Sequence, residues 1–217
     1  MNGAHDLGGS HGFGEIDRRQ QVNFEHFWEQ RVFGLTLACG MLGQWNLDQS
    51  RYAREDMHPV DYLSSSYYEH WLHGCERLMK ERGLVTDSEL QSGTASKDNA
   101  VMLEAIEPDC VDRILKSGGP TLMETDQLAK FKPGDHVVVC NFHPKSHTRA
   151  PRYIRGHRGT VQAHRGAHIF PDQHALDGGR IPAHLYNVRF ESETLWGEDA
   201  AEAGSAVYVD VFEPYLE

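Results

Sequence analysis

The sequence lacks most of what a self-sufficient enzyme shows. Its 217 residues contain no apolar run near the roughly 18 to 20 residues of a membrane-spanning helix. Only four cysteines occur, Cys39, Cys75, Cys110 and Cys140, spaced 30 to 36 residues apart. None forms a CxxC pair, which excludes a zinc knuckle or a dithiol redox centre. Four buried small hydrophobes in a reducing compartment are expected instead. There is no GxSxG elbow, no P-loop, no dinucleotide fingerprint and no HExxH. Positive charge is scarce too. Against 32 acidic residues stand 21 Lys and Arg, a formal charge of -11, whereas a nucleic-acid or polybasic membrane partner demands a positive face. The opening stretch from Met1 to Ser10 is Gly-rich and polar, without the basic and apolar regions of a secretory signal, so the cytoplasm is the expected compartment.

What is present is a concentration of arginine in two places. The turn-rich stretch 146–159 carries His147, Arg149, Arg152, Arg155, His157 and Arg158 inside an otherwise acidic chain. Far upstream, residues 47–55 carry Arg51 and Arg54. A guanidinium offers a rigid fork of donors and never loses its charge, which suits it to hold an anionic oxygen. The two segments are expected to meet at an anion that this chain does not supply. Fourteen histidines include the HxxxH pairs His143/His147 and His164/His168. Both pairs fall in Gly- and Pro-punctuated stretches, where that spacing does not put two rings on one helix face. Hydrogen-bonded or solvent-facing histidines are expected rather than metal ligands.

Along the chain, residues 1–20 have no helical or strand period and read as an extended arm. From Asn23, apolar residues Phe24, Phe27, Trp28, Phe33, Leu35, Ala38 and Leu42 recur at helical steps, giving an amphipathic or nearly buried helix closed by Gly40 and Gly43. Asn46 and Gln49 form a capping box for a second helix on which Arg51 and Glu55 share a side. Pro59 ends it. Ser64 to Ser66 cap a third helix, Tyr67 to Arg82, stopped by Gly83, with Tyr67 and His70 beside its apolar stripe. Thr86 and Glu89 cap a short helix. Residues 91–130 read as a linker with one helical piece behind Pro108. Past Phe131 the period turns to two, with short β-rich runs at 131–140, 159–163, 185–190 and 206–212, the pattern of a small antiparallel barrel or sandwich. The fold class expected is α+β, divided as arm 1–20, helical domain 21–90, linker 91–130 and β domain 131–217.

These residues, in this order, resemble the β subunit of nitrile hydratase. The resemblance is carried by the arm from Met1 to Gly9 with Gly12, Phe13 and Gly14, then Trp28 and Glu29, Arg51 and Tyr52, and the YYEHW run from Tyr67 to Trp71. It continues in the FKPGD run from Phe131 to Asp135, the HTRAPRY run from His147 to Tyr153, Leu195 to Gly197, and the closing stretch from Asp210 to Leu216. The resemblance implies an SH3-like barrel for the β domain. It implies hydration of a small nitrile to its amide by a complex with an α subunit. That subunit holds Fe(III) or Co(III) through a cysteine cluster with two oxidised members. It further implies that Arg51 and Arg149 hydrogen-bond those oxidised cysteine oxygens, which would be the missing anion. Tyr67 would lie at the substrate end of the pocket, with Glu55, His70 and His147 as outer-sphere support, and the assembly would be an αβ heterodimer or an (αβ)2 heterotetramer. The rival readings are a shorter accessory or activator protein related to the β subunit and part of a thiocyanate hydrolase-like enzyme. Arg51 and Arg149 together on one chain favour the first reading over both.

Overall fold

The computed structural model describes residues 1–15, 18, 23–96, 103–202 and 204–217. They form two compact units. A helical unit takes Gly3–His5 and Phe13–Gly119, and a sheet unit takes Met1–Asn2, Asp6–Gly12 and Pro120–Glu217. Parts of the expected arm (16, 17, 19 and 20) and of the expected linker (97–102) lie outside the described residues.

The helical unit contains α1 (Phe27–Met41), α2 (Leu47–Glu55), α3 (Pro59–Ser64), α4 (Tyr67–Glu81), α5 (Asp87–Ser92) and α6 (Pro108–Ser117). Four of these begin on a capping box, in which an N-cap side chain and a Gln or Glu three residues later satisfy each other's backbone N–H groups. In α2 the Asn46 side chain accepts from the N–H groups of Asp48 and Gln49 at 3.0 and 2.9 Å. The core is small: Cys39 of α1, Trp45, Ala53 of α2, and Cys75 and Leu78 of α4. Helices α2 and α4 approach closely because the residues between them are small. Ala53 is buried, and a Cβ added at Gly74 would lie 2.6 Å from Cγ of Arg54. At the far end of that contact Arg77 reaches Asp56 at 2.9 Å and Glu81 at 2.8 Å.

The structure departs from the sequence expectations in four places here. Helix α1 starts at Phe27, not near Asn23, because Glu29 reaches back to the N–H of His26 and fixes the start there. Its apolar residues are not a buried stripe: Phe27 is 74% exposed and Leu35 44%, while Glu29, Val32 and Cys39 are the buried ones. Pro59 not only follows α2 but occupies the first turn of a further helix, α3, where its missing N–H is no loss. Finally, Cys110 and Cys140 are half-buried rather than buried, and all four cysteines are free thiols.

The sheet unit is built on β1 (Leu122–Met123), β2 (His136–Val138), β3 (Arg158–Ile169), β4 (Pro182–Glu191) and β5 (Ala206–Phe212), with α7 (Pro171–Asp177) and α8 (Ser192–Trp196) between strands. Strand order is β1-β3-β4-β5, all antiparallel, with β2 paired to the start of β3. Residues expected to be linker thus supply an edge strand, β1, whose Leu122 and Met123 pair with His168 and Ala167. Two register shifts bend β3, the second at Gly166, whose φ of 89° lies in the left-handed region that glycine tolerates. The chain end curls the sheet further. Past β5, Glu217 exchanges both backbone hydrogen bonds with Val138 at 2.9 Å, and Tyr215 O accepts from the N–H of Cys140 at 2.8 Å. A half-barrel results. Inside it sit Val137, Val139, Ile154, Val161, Tyr186, Val188, Phe190 and Val211. The arm joins this unit through Gly8 and Gly9, which lie so close to the Tyr153 and Trp196 rings that a Cβ would meet them at 2.4 and 2.5 Å.

Among the described residues no helix is long and apolar enough to cross a membrane. The glycines offer a direct test of the packing. A Cβ at Gly159 would stand 2.5 Å from Val188 and 3.0 Å from the Arg189 carbonyl, whereas at Gly34, within α1, nothing lies within 4 Å. Gly159→Ala should lower stability in urea by about 1–3 kcal/mol through overpacking. Gly34→Ala should raise it by roughly 0.5–1 kcal/mol through helix propensity. Equal effects of the two substitutions would refute this account of the β3–β4 contact.

Candidate active site

Four of the six residues singled out in the sequence line one cavity of about 260 Å3 in the helical unit: Arg51, Glu55, Tyr67 and His70. Helix α2 supplies Arg51 and Glu55 one turn apart, and the first turn of α4 supplies Tyr67 and His70. Arg51 is oriented by Asp48, one turn earlier on α2, at 2.9 Å. Arg51 and Glu55, expected to share a side of α2, line one wall. Glu55 faces His5 of the arm at 4.0 Å. Tyr67 is 64% exposed and stands at the rim.

Three further residues complete this wall: Arg54, Tyr62 and Trp71. Tyr62 comes from α3, the helix the sequence reading did not anticipate. Its ring stacks on His70 with centroids 4.2 Å apart and planes 9° from parallel. Its carbonyl oxygen lies 2.7 Å from His70 Nε2. A carbonyl only accepts, so Nε2 carries the proton and a neutral His70 keeps Nδ1 as its acceptor. Pro59 at the start of α3 was the available signal for this element. Arg54 lies with its guanidinium 4.8 Å over the Trp71 ring and donates to the Ser50 carbonyl at 3.0 Å and hydroxyl at 3.2 Å. Burial pulls Arg54 below the ordinary arginine range, with no effect on its charge near neutrality.

The other two candidates, Arg149 and His147, belong to the sheet unit, in the stretch between β2 and β3. The four arginines of that stretch prove to have different tasks. Arg155 is buried and spends its donors on the chain itself: on the Ala150 carbonyl at 3.0 and 2.7 Å, the Phe142 carbonyl at 3.0 Å and the Asn2 side chain at 2.5 Å. Arg152 holds the arm, its backbone N–H donating to Asp6 at 2.8 Å. Arg158 starts β3. Arg149 is exposed, and among the described residues its guanidinium has no ion-pair or hydrogen-bond partner. Its backbone, by contrast, is fixed. The Arg149 N–H donates to the Tyr215 hydroxyl at 3.2 Å, Thr148 Oγ1 donates to the same oxygen at 3.1 Å, and that hydroxyl donates to Asp172. Burial raises the Asp172 carboxyl, opposed by the Tyr215 hydrogen bond and by His147, which is itself fully buried. Burial also raises the Tyr215 hydroxyl far above the usual phenol range, reinforced by Asp172. The result is a loop with a fixed backbone that presents the Arg149 guanidinium; the exposed Arg158 at the start of β3 is likewise without a partner among the described residues.

Among the described residues no group of three or more His, Cys, Asp or Glu is disposed to hold a metal ion. His164 and His168 lie on β3 and engage His184 and Thr121, each at 3.0 Å.

Removing one oxygen tests the presentation of Arg149. Tyr215→Phe takes an acceptor from Thr148 and the Arg149 N–H and one donor from Asp172, and should cost about 1–3 kcal/mol in chemical denaturation. A loss below about 0.5 kcal/mol, the level of an ordinary surface substitution, would mean that this network does not hold the loop.

Comparison with known proteins supplies the context for this geometry. The model of the nitrile hydratase β subunit N-terminal domain matches residues 1–117, and that of the C-terminal domain matches residues 120–217. The low-molecular weight cobalt-containing nitrile hydratase subunit β of Rhodococcus rhodochrous is 38% identical over 229 residues, covering 100% of this chain and 99% of that protein. Nitrile hydratase subunit β of Pseudomonas putida is 38% identical over 219 residues, with coverage of 100% and 99%. The cobalt-containing nitrile hydratase subunit β of Pseudonocardia thermophila is 36% identical over 225 residues, with coverage of 100% and 96%. Among solved structures, a recombinant apo-enzyme chain of thiocyanate hydrolase from Thiobacillus thioparus aligns with a TM-score of 0.39 and 21% identity, covering 61% of this chain and 97% of that one. Nitrile hydratase subunits form an enzyme complex, a hydro-lyase, and an α subunit is the partner that a β subunit implies. With both family models matched from end to end, this chain belongs to the nitrile hydratase β-subunit family.

Proposed function

We propose that this chain is the β half of a metal-dependent nitrile hydratase and that it contributes Arg51, Glu55, Tyr67 and His70 from one unit, and Arg149 and His147 from the other, to the site where a small nitrile becomes an amide. The observation that carries this reading is the convergence of the first four residues on a single cavity, although they come from two helices. The metal, Fe(III) or Co(III), is held by the α subunit, and the naming of two relatives as cobalt-containing favours cobalt. When bound, it supplies Lewis-acid polarisation to the hydration.

This chain's residues do the rest of the work assigned to it. Arg149, with an unengaged guanidinium on a fixed backbone, donates to oxidised cysteine oxygens of the α subunit. Arg51 does the same from the helical unit, steadied by Asp48. Such outer donors hold ligand oxygens in place without touching the reacting carbon. Tyr67 borders the substrate. His70 in its neutral form, with its proton held on Nε2 by the Tyr62 carbonyl, offers Nδ1 as an acceptor for a proton from water, and Glu55 supports it from α2. His147 acts from within the loop, through Asp172.

The exposed Phe27, Trp28, Phe33 and Leu35 of α1 support an apolar docking face for the α subunit. We read the curled sheet as an SH3-like barrel over 131–217, preceded by the arm 1–20, the helical domain 21–90 and the linker 91–130. The assembly is an αβ heterodimer or its (αβ)2 dimer in the cytoplasm, where free thiols persist.

The decisive measurement is nitrile-to-amide turnover and metal content for the chain alone and co-purified with its α subunit. Activity with one cobalt or iron per pair should occur only in the complex. In that complex Arg51→Ala and Arg149→Ala should each lower kcat by about 10–100-fold. A complex with neither metal nor turnover would favour the accessory-protein reading.

A further inference from the structure

A second cavity in the helical unit, of about 410 Å3, shares Arg54 and Trp71 with the first. Its wall is largely apolar, with Leu37, Met41, Trp45, Leu47 and Leu115. A guanidinium set into such a wall is costly unless something offsets its lost hydration. The chain is nevertheless arranged to keep it there. Gly74 leaves the space through which the Arg54 stem passes, since a Cβ would stand 2.6 Å from its Cγ. Ser50 takes two of the five donors with its carbonyl and hydroxyl, and the Trp71 ring lies beneath the plane at 4.8 Å.

The remaining donors have no acceptor among the described residues, and no carboxylate there forms an ion pair with Arg54. The other charges on these walls are otherwise engaged: Arg51 with Asp48 at 2.9 Å, and Glu55 facing His5 at 4.0 Å. Arg54 is thus a preorganised cation between an apolar cavity and the cavity that holds the candidate site residues. A plain alkyl nitrile needs no such group, because an apolar wall suffices for it. A fixed fork of unused donors matches a carboxylate.

We propose that Arg54 is a specificity-determining residue that receives the carboxylate of a nitrile bearing an acidic group on its hydrocarbon chain. The apolar cavity takes the chain, and the guanidinium takes the acid at its end. This rests on the nitrile hydratase reading above and adds the substrate class to it.

The test uses the complex with the α subunit and two nitriles built on the same carbon chain, 4-cyanobutanoate and its methyl ester. For the wild-type complex, Arg54→Lys and Arg54→Met, the ratio of kcat/KM for acid over ester is measured. Loss of a charge-assisted hydrogen bond should lower that ratio by about tenfold or more in Arg54→Met, chiefly through KM of the acid, with partial retention in Arg54→Lys. An unchanged ratio overturns the proposal, as does a ratio that falls through kcat alone. Poor assembly of Arg54→Met with its α subunit, with Arg54→Lys assembling normally, would also overturn it by assigning the cation to subunit docking. If the complex turns over neither nitrile, the activity reading fails by itself. Binding of 4-cyanobutanoate, followed by tryptophan fluorescence, then decides the proposal: about tenfold weaker binding to Arg54→Met supports it, and equal binding refutes it.

Discussion

The buried guanidinium of Arg155 is the constraint on which the functional half of the sheet unit depends. A charge removed from water must be surrounded by acceptors, and here the acceptors are carbonyls of the very loop it stabilises, at Ala150 and Phe142, together with Asn2 of the arm. Asp6 stands 3.9 Å away, and the Phe142 ring 5.1 Å. Because these partners are spread over the loop and the arm, satisfying the one charge orders both. The loop backbone is then committed, and Tyr215 completes it from the far end of the sheet by binding Thr148 and the Arg149 N–H. Arg149 can be left free because its neighbour Arg155 is not.

A comparable economy holds in the helical unit, where the missing side chain of Gly74 does the organising. It lets α4 lie against α2 at the level of Arg54 and Ala53, which brings the first turn of α4 beside the last turns of α2. Tyr67 and His70 thereby join Arg51 and Glu55 around one cavity. The same small core leaves much apolar surface outside. Phe24, Phe33, Tyr68 and Trp71 form a chain of ring contacts with centroids 5.2 to 6.0 Å apart, and Phe33 itself is 38% exposed. An enzyme subunit that covers its aromatic surface with a partner fits that pattern better than an isolated globule.

Much of this was readable before any coordinates. The capping boxes at Asn46 and Thr86 state their helix starts in four residues, because the interaction is local and its chemistry is explicit. The period change at Phe131 located the β-rich half for the same reason. The two arginine-bearing segments stood out by residue type in an acidic chain, and the family resemblance picked Arg51 and Arg149 from them. What escaped was each element whose existence depends on distant partners. Leu122 and Met123 become a strand only because β3 is there to pair with them. Helix α3 is a single short run whose proline reads equally well as an ending. The apolar residues of α1 announce a buried stripe, and within this chain Phe27, Trp28, Phe33 and Leu35 are exposed, since a helical period does not say what packs against it.

By itself the sequence determined the class of structure, most of the helix starts, the place where helix gives way to sheet, and the two segments in which arginine is concentrated. These follow from interactions spanning a few residues, or from composition. Tertiary structure alone decided that Arg155 of the four arginines in one loop is structural while Arg149 is left free, that Tyr62 fixes the tautomer of His70, and that Arg54 stands between two cavities. The physical reason is that a charged or polar side chain acquires its role from the acceptors around it. Those acceptors lie 153 positions away for Asn2 and Arg155, and eight away on a separate helix for Tyr62 and His70. No local pattern carries that information.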